Sequence, residues 1–364
     1  MGAVPLTRHE EVRWLPDARR VIAKPFLPGE EVFPDGRSRI EVVVRRILAM
    51  AEGEVAATLR QTLDVFGYLH RDLDGILLAN LALVADRVEL PKTMSEERKR
   101  LIGAYFTHEY SIEAAALGNP SMVVGPDQSG LQVGETRFVM SLRAIGEGHI
   151  SSIEFRTGVV GPGASLTLDQ PSQFASTGTR ASAVYDRAFF ETKLRDLGAL
   201  NEVAIQVLAD LDPHFTLTDL EVRLRSLFEE LPNSSSPGVE DSVALETSHI
   251  LHWLASSNYR VGFEPSGHIS ERVIFPGGPT ESRGMEDVRL VRFVHDDERV
   301  VYYGTYTAFD GHQILPQLLE TTDFATFRVA TLSGACAQNK GIALFPRKLN
   351  GHFMALGRHD NVNN

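Results

Sequence analysis

The stretch GMEDVRLVRFVHDDERVVYYGTYTAFDG, residues 284–311, decides how the fold is read. Leu290, Val291 and Phe293 make one apolar run, and Val300 to Tyr303 open a second. The polar segment HDDE lies between them, so the pair reads as two strands joined by a turn. The charges sit where the first strand begins: Glu286 and Asp287 side by side, with Arg289 two residues on. On a solvated strand edge, an ion pair of Asp287 with Arg289 or Arg292 would contribute little. The other reading is that these groups belong to a site. Local pattern alone leaves both open.

Working outward, the same alternation recurs on both sides. TRFVMSLRA (136–144) and ISSIEFRTG (150–158) have the period of half-buried strands, and QILPQLLETT (313–322) extends the later block. IALFPRKLNGHFMALGR (342–358) reads as a hairpin with Asn350-Gly351 at its tip, the preferred pair for a tight primed turn. Two other regions have helical spacing. Residues 1–116 read mostly as helix, with Thr93 and Glu96 spaced as a capping box. Helical spacing returns over about 185–256, where Thr218 and Glu221 have the same spacing, interrupted by the break LPNSSSPGVED. The expected class is mainly β with helical additions, and many short hairpin-linked strands suggest a sandwich, barrel or propeller.

Composition narrows the function classes. Of 364 residues, 43% are hydrophobic and 23% charged, the balance of a soluble globular chain. There is no apolar run of about 18 residues and no basic-then-apolar leader, so neither a membrane span nor a secretory signal is expected. Cys336 is the single cysteine, which removes intrachain disulfides and multi-thiolate metal sites and makes the cytoplasm the expected location. A net charge of −12 argues against nucleic acid and anionic membranes as partners, though a local basic pocket for one small anion is compatible with it. No HExxH, P-loop, GxSxG or dinucleotide fingerprint occurs, and His108-Glu109 lacks a second histidine at helical spacing. No metal or organic cofactor is expected.

What recurs is polar groups at strand ends. Asn119 precedes the first β block, and Arg143 stands within its second strand, where an arginine needs a partner. Glu286, Asp287 and Arg289 open the next block, and Thr305 and Thr307 follow in its paired strand. Asn339 and Lys340 open a third, and Arg358, His359 and Asp360 close its hairpin. If the blocks surround an axis, these groups converge and suit a polyol plus an anion. The plainer alternatives are an ordinary Asn119-Pro120 turn, a turn lysine at 340, and Tyr302, Tyr303 and Tyr306 packed between sheets.

The segments GMEDVRLVRF…YYGTYTAFDG and NKGIALFPRKLNGHFMALGRHDN, with the earlier NPSMV…TRFVMSLRA…HISSIEFRTG, resemble glycoside hydrolase family 130, the β-mannoside phosphorylases and related hydrolases. The similar stretches cover roughly 117–160 and 258–361. The resemblance implies a five-bladed β-propeller over 117–364, interrupted by the helical insertion at about 185–256 and preceded by the helical region 1–116. A blade takes about 40–50 residues, so two to three blades are expected here, and the resemblance implies a C-terminally truncated chain.

It further implies an inverting reaction in which inorganic phosphate, as co-substrate, attacks a β-mannoside oligosaccharide and yields α-mannose 1-phosphate. Asp287 takes the general-acid position, with the Glu286 carboxylate raising its proton affinity and Arg289 lowering it. Arg143, Lys340, Arg358 and His359 are the candidates for holding phosphate, since a phosphorylase needs cations where an inverting hydrolase needs a carboxylate base. Asn119 and Asp360 complete the expected substrate-binding set. The alternatives are an inverting β-mannosidase of the same fold or a non-catalytic carbohydrate-binding fragment. By analogy, the helical regions shape the acceptor side or a homo-oligomer interface.

Overall fold

In a computed structural model of the chain, residues 13–29, 33, 36–230, 239–334, 336–337 and 339–358 are described, and they fall into two units. The first takes up 16–115 with 172–176; the second takes up the described residues of 1–15, 116–171 and 177–364. No helix among the described residues is long and apolar enough to cross a membrane.

The first unit contains β1 (Val21–Pro25), α1 (Arg39–Leu48), α2 (Glu52–Phe66), α3 (Leu73–Ala85), α4 (Glu96–Tyr105) and β2 (Thr107–Ser111). The helices form because apolar residues recur on one face of each, and Ile40, Val44, Ile47, Leu77, Leu101 and Phe106 close on one another as a core. α4 starts later than the expected Thr93–Glu96 box. Ser95, in an extended conformation, is its N-cap and accepts from the Arg98 N–H at 3.2 Å. A cap side chain must sit directly before the first helical turn, and Thr93 lies two residues too early. Antiparallel pairing of β1 with β2 is not signalled by the helical spacing, because THEYS is short and polar.

The second unit begins with β3 (Ala116–Val124), β4 (Thr136–Ile145), β5 (Ser151–Val160) and β6 (Leu166–Leu168), an antiparallel meander. After β7 (Thr179–Ser182) and β8 (Val184–Asp186) come α5 (Arg187–Asp196), α6 (Glu202–Ala209), β9 (His214–Thr216), α7 (Leu217–Glu230) and α8 (Val239–Ser256). This helical block has its own core, with Phe190, Leu208, Phe215, Leu220 and Leu251 fully buried. Here too the expected cap moves: Thr216 and Asp219 exchange bonds reciprocally, not Thr218 and Glu221. The chain then passes through β10 (Tyr259–Gly262) and β11 (Val273–Ile274) into the second meander, β12 (Gly284–Val294), β13 (Val300–Phe309), β14 (Ile314–Thr321) and β15 (Thr326–Thr331). After β15, β16 (Ala343–Leu344) and β17 (Ala355–Leu356) pair as a short hairpin. At its tip Asn350 and Gly351 have φ of 53° and 79°, the left-handed pair that a primed turn requires.

One sheet path runs β3-β4-β5-β12-β13-β14-β15-β10-β7, so the two meanders are neighbours. They meet at Gly284, which pairs in parallel with Ser151. Its φ is +125°, and a Cβ there would lie 2.5 Å from the Ser151 hydroxyl, so only glycine allows the approach. Phe155 from the first meander packs with Met285, Leu319, Phe324 and Phe327 of the second in one core. The class is thus mainly β-sheet with helices, as expected; among the described residues the strands close into neither a barrel nor a propeller.

Candidate functional site

Two irregularities build the site. β3 loses register with β4 between Gly118 and Ser121, and β12 loses register with β13 between Glu286 and Arg289. Each bulge holds one non-glycine residue with positive φ: Asn119 at 50° and Asp287 at 57°. Asn and Asp are the side chains that tolerate this conformation best, and a bulge re-aims the side chain it carries. Here the two aim at each other, and the Asn119 amide donates to Asp287 Oδ1. The bulged strands are linked again two residues on, where Ser121 Oγ accepts from the Leu290 N–H at 2.9 Å. At the far end of β3, the Val124 carbonyl accepts from the Tyr302 hydroxyl of β13 at 3.0 Å.

Arg143, on β4, supplies the partner question its sequence position raised. Its Nη2 donates to Glu286 Oε1 at 2.9 Å and its Nη1 to Asp287 Oδ1 at 3.4 Å. Lys340 reaches the same group from a third segment, its Nζ 2.6 Å from Glu286 Oε2 and 5.4 Å from the centre of the Phe309 ring. Neighbouring Asn339 is buried and caps its own turn, its side-chain oxygen accepting from the Lys340 N–H at 2.7 Å. Thr305 anchors the segment by donating to the Ile342 carbonyl.

The two carboxylates are therefore unlike. Each Glu286 oxygen is held by a cation, and its side chain is 14% exposed. Both donors to Asp287 converge on Oδ1, leaving Oδ2 without a partner among the described residues, and the side chain is 38% exposed. Glu286 clamps Arg143 to Lys340; Asp287 offers a free oxygen at the surface of the cluster. Glu286, expected to act on Asp287, has its own charge matched by two cations. Arg289, expected beside Asp287, is exposed on β12 and makes no ion pair among the described residues; Arg143 is the cation that meets Asp287.

Asn119, Arg143, Glu286, Asp287 and Lys340 are thus brought together. Arg358 is exposed and borders them, since a side chain at Gly341 would meet its guanidinium at 3.5 Å. His359 and Asp360 lie outside the described residues. Neither Arg289 nor Arg292 pairs with Asp287, so the strand-edge ion pair is not what these charges form. Tyr302 and Tyr306 are buried and pack inside the sheet. Sequence reasoning missed Ser121 and Phe309; a lone hydroxyl two residues past Asn119 in an apolar strand was the available signal for the first. Charge balance in the cluster is two against two, with the exposed Arg358 beside Gly341.

Comparison of the chain with protein-family models, with curated proteins and with solved structures finds no match.

Proposed function

We propose that the chain is an inverting glycoside phosphorylase that cleaves β-mannosides with inorganic phosphate, with Asp287 as general acid. The observation that carries the reading is the asymmetry of the carboxylate pair: one with a cation on each oxygen, the other partly exposed and with an oxygen that has no partner among the described residues. Asp287 Oδ2 is the atom that would hold the proton and pass it, through a sugar hydroxyl, to the glycosidic oxygen. As that bond breaks, a phosphate oxygen attacks the anomeric carbon from the opposite face, and α-mannose 1-phosphate leaves. Among the described residues, the Arg143 Nη groups and the Lys340 Nζ have N–H donors beyond those given to Glu286 and Asp287, and the exposed Arg358 lies beside Gly341, next to Lys340. Such cations favour a phosphate co-substrate over an activated water, which would need a carboxylate with a free oxygen on the opposite face.

We also infer that the two meanders are blades of a five-bladed β-propeller whose central channel contains this cluster. Two features favour that reading: each meander has four antiparallel strands, and each first strand is bulged where its polar residue points to the other. Incubation with a β-mannoside oligosaccharide, with and without phosphate, tests the chemistry. Mannose 1-phosphate formed only with phosphate is expected. Equal release of free mannose in phosphate-free buffer would assign an inverting β-mannosidase instead. Sugar binding without turnover in either buffer would leave a carbohydrate-binding module.

A further inference from the structure

Away from the carboxylate cluster, Lys193 on α5 is buried at 1% exposure and borders a cavity of about 270 Å³. The cavity lies between α5 and α8 on one side and β14 with the segment after β15 on the other. Its walls are largely apolar, including Leu254, Leu315, Pro316 and Leu332. The Lys193 ammonium has three donors. One goes to the Thr331 carbonyl at 2.7 Å, and the Phe189 ring lies 4.9 Å from Nζ. No carboxylate pairs with it among the described residues. Thr331 is itself fixed by Asn258 and Ser257, so the carbonyl is a rigid anchor for the amine.

A buried ammonium without a counter-charge is costly. The fold offers two ways to lower that cost: the amine loses its proton, or an anion enters the adjoining space. Burial together with repulsion from Arg328 pulls the Lys193 pKa down to about 8, so near neutral pH most of the charge persists. The other charged groups facing this region are Asp196, which borders the cavity, and Glu320, which is 3.6 Å from Arg328.

We propose that this cavity binds a small organic carboxylate, its anionic head paired with Lys193 and its apolar body lying on Leu254, Leu315 and Leu332. The charge argues for a carboxylate over a phosphate: Lys193 is the one cation among the described lining residues and Asp196 already borders the cavity, so a dianion would add unmatched negative charge. The size argues for a small molecule, since the volume falls at the low end for ligand pockets. This site does not depend on the phosphorylase reading, and its test is read by binding.

Butyrate is titrated into the full chain by calorimetry at pH 7 and pH 9, with inorganic phosphate as the second probe. Saturable binding of butyrate is expected at pH 7, weaker by about tenfold at pH 9, because the anion needs the charged amine and that form is lost as pH rises through the lysine's pKa. Lys193→Met should weaken binding by about tenfold or more, as expected for removing one partner of a buried charge pair. Ala337→Trp, which fills the cavity from its wall and leaves the lysine in place, should abolish binding and decides the matter if Lys193→Met does not fold. Failure of butyrate to bind, equal affinity at both pH values, undiminished binding by either variant, or tighter binding of phosphate than of butyrate would each overturn the proposal.

Discussion

The two bulges share a backbone and differ in chemistry. β3 and β12 each break register at the same place in a four-stranded meander, and each puts one short polar residue at positive φ. In β3 that residue is Asn119, followed by a proline and equipped to donate; in β12 it is Asp287, which can only accept when ionised. The geometry alone would suit either residue at either place. What separates them is their surroundings: Asp287 shares Arg143 with Glu286, whereas among the described residues the Asn119 side chain bonds to Asp287 alone. On the proposed reading, one bulge presents the general acid and the other holds it in position.

The strongest way to break this division is Asp287→Asn. An asparagine keeps the positive φ, and its Oδ1 still accepts from Asn119 and Arg143, so the unfolding free energy should change by less than about 1 kcal/mol. Formation of mannose 1-phosphate should nevertheless fall by about 10²–10⁴-fold, the usual contribution of a general acid. Turnover that survives this substitution would remove Asp287 from the chemistry. Arg143→Leu comes next in size. It strips one partner from Glu286, which retains Lys340, and both side chains are partly exposed, so a loss of about 2 kcal/mol is expected in urea unfolding, below the range for fully buried pairs. No change in the unfolding midpoint would show that the cation clamp is not structural.

Much of this arrangement is written in the sequence as alternation, and some is not. Strands β4, β5, β12, β13 and β14 follow from their apolar periods, and the Asn350-Gly351 turn from its φ requirement. Arg143 announced a missing partner because an arginine in an apolar strand must find one. Which carboxylate it finds depends on how β4 lies against β12, across 143 and 144 residues of chain, and no local pattern encodes that. For the same reason Arg289, adjacent in sequence, stands outside the cluster, while Lys340 enters it. The helix caps slipped by two residues because several hydroxyl and carboxylate residues compete at each start, and the backbone before the first turn selects among them. Lys193 gave no signal at all: it is one charged position on an otherwise amphipathic helix, and only packing against β14 and β15 isolates it.

Making the two bulges alike tests the comparison more finely. Asn119→Asp turns the donor into a second acceptor and sets two carboxylates against each other. The amide donor to Asp287 Oδ1 is lost and a second carboxyl group faces the first, so the variant should lose about 1–2 kcal/mol in denaturant unfolding. Unchanged stability would mean that Asn119 acts through its backbone and not through its amide.

The smallest expected effect is the most discriminating. Asn119→Gly removes the amide but keeps the left-handed conformation at less steric cost. Loss of one hydrogen bond to a partly exposed carboxylate, about 1 kcal/mol, is opposed by relief of the positive-φ strain of a similar size. Net stability should stay within about 0.5 kcal/mol of wild type. Turnover should still fall, because Asp287 Oδ1 then has Arg143 as its remaining donor among the described residues and the carboxyl gains rotational freedom. A KM near the wild-type value with a lower kcat is the signature of a lost positioning contact. If stability drops while kcat holds, Asn119 supports the bulge itself, and the two bulges are alike in role as well as in shape.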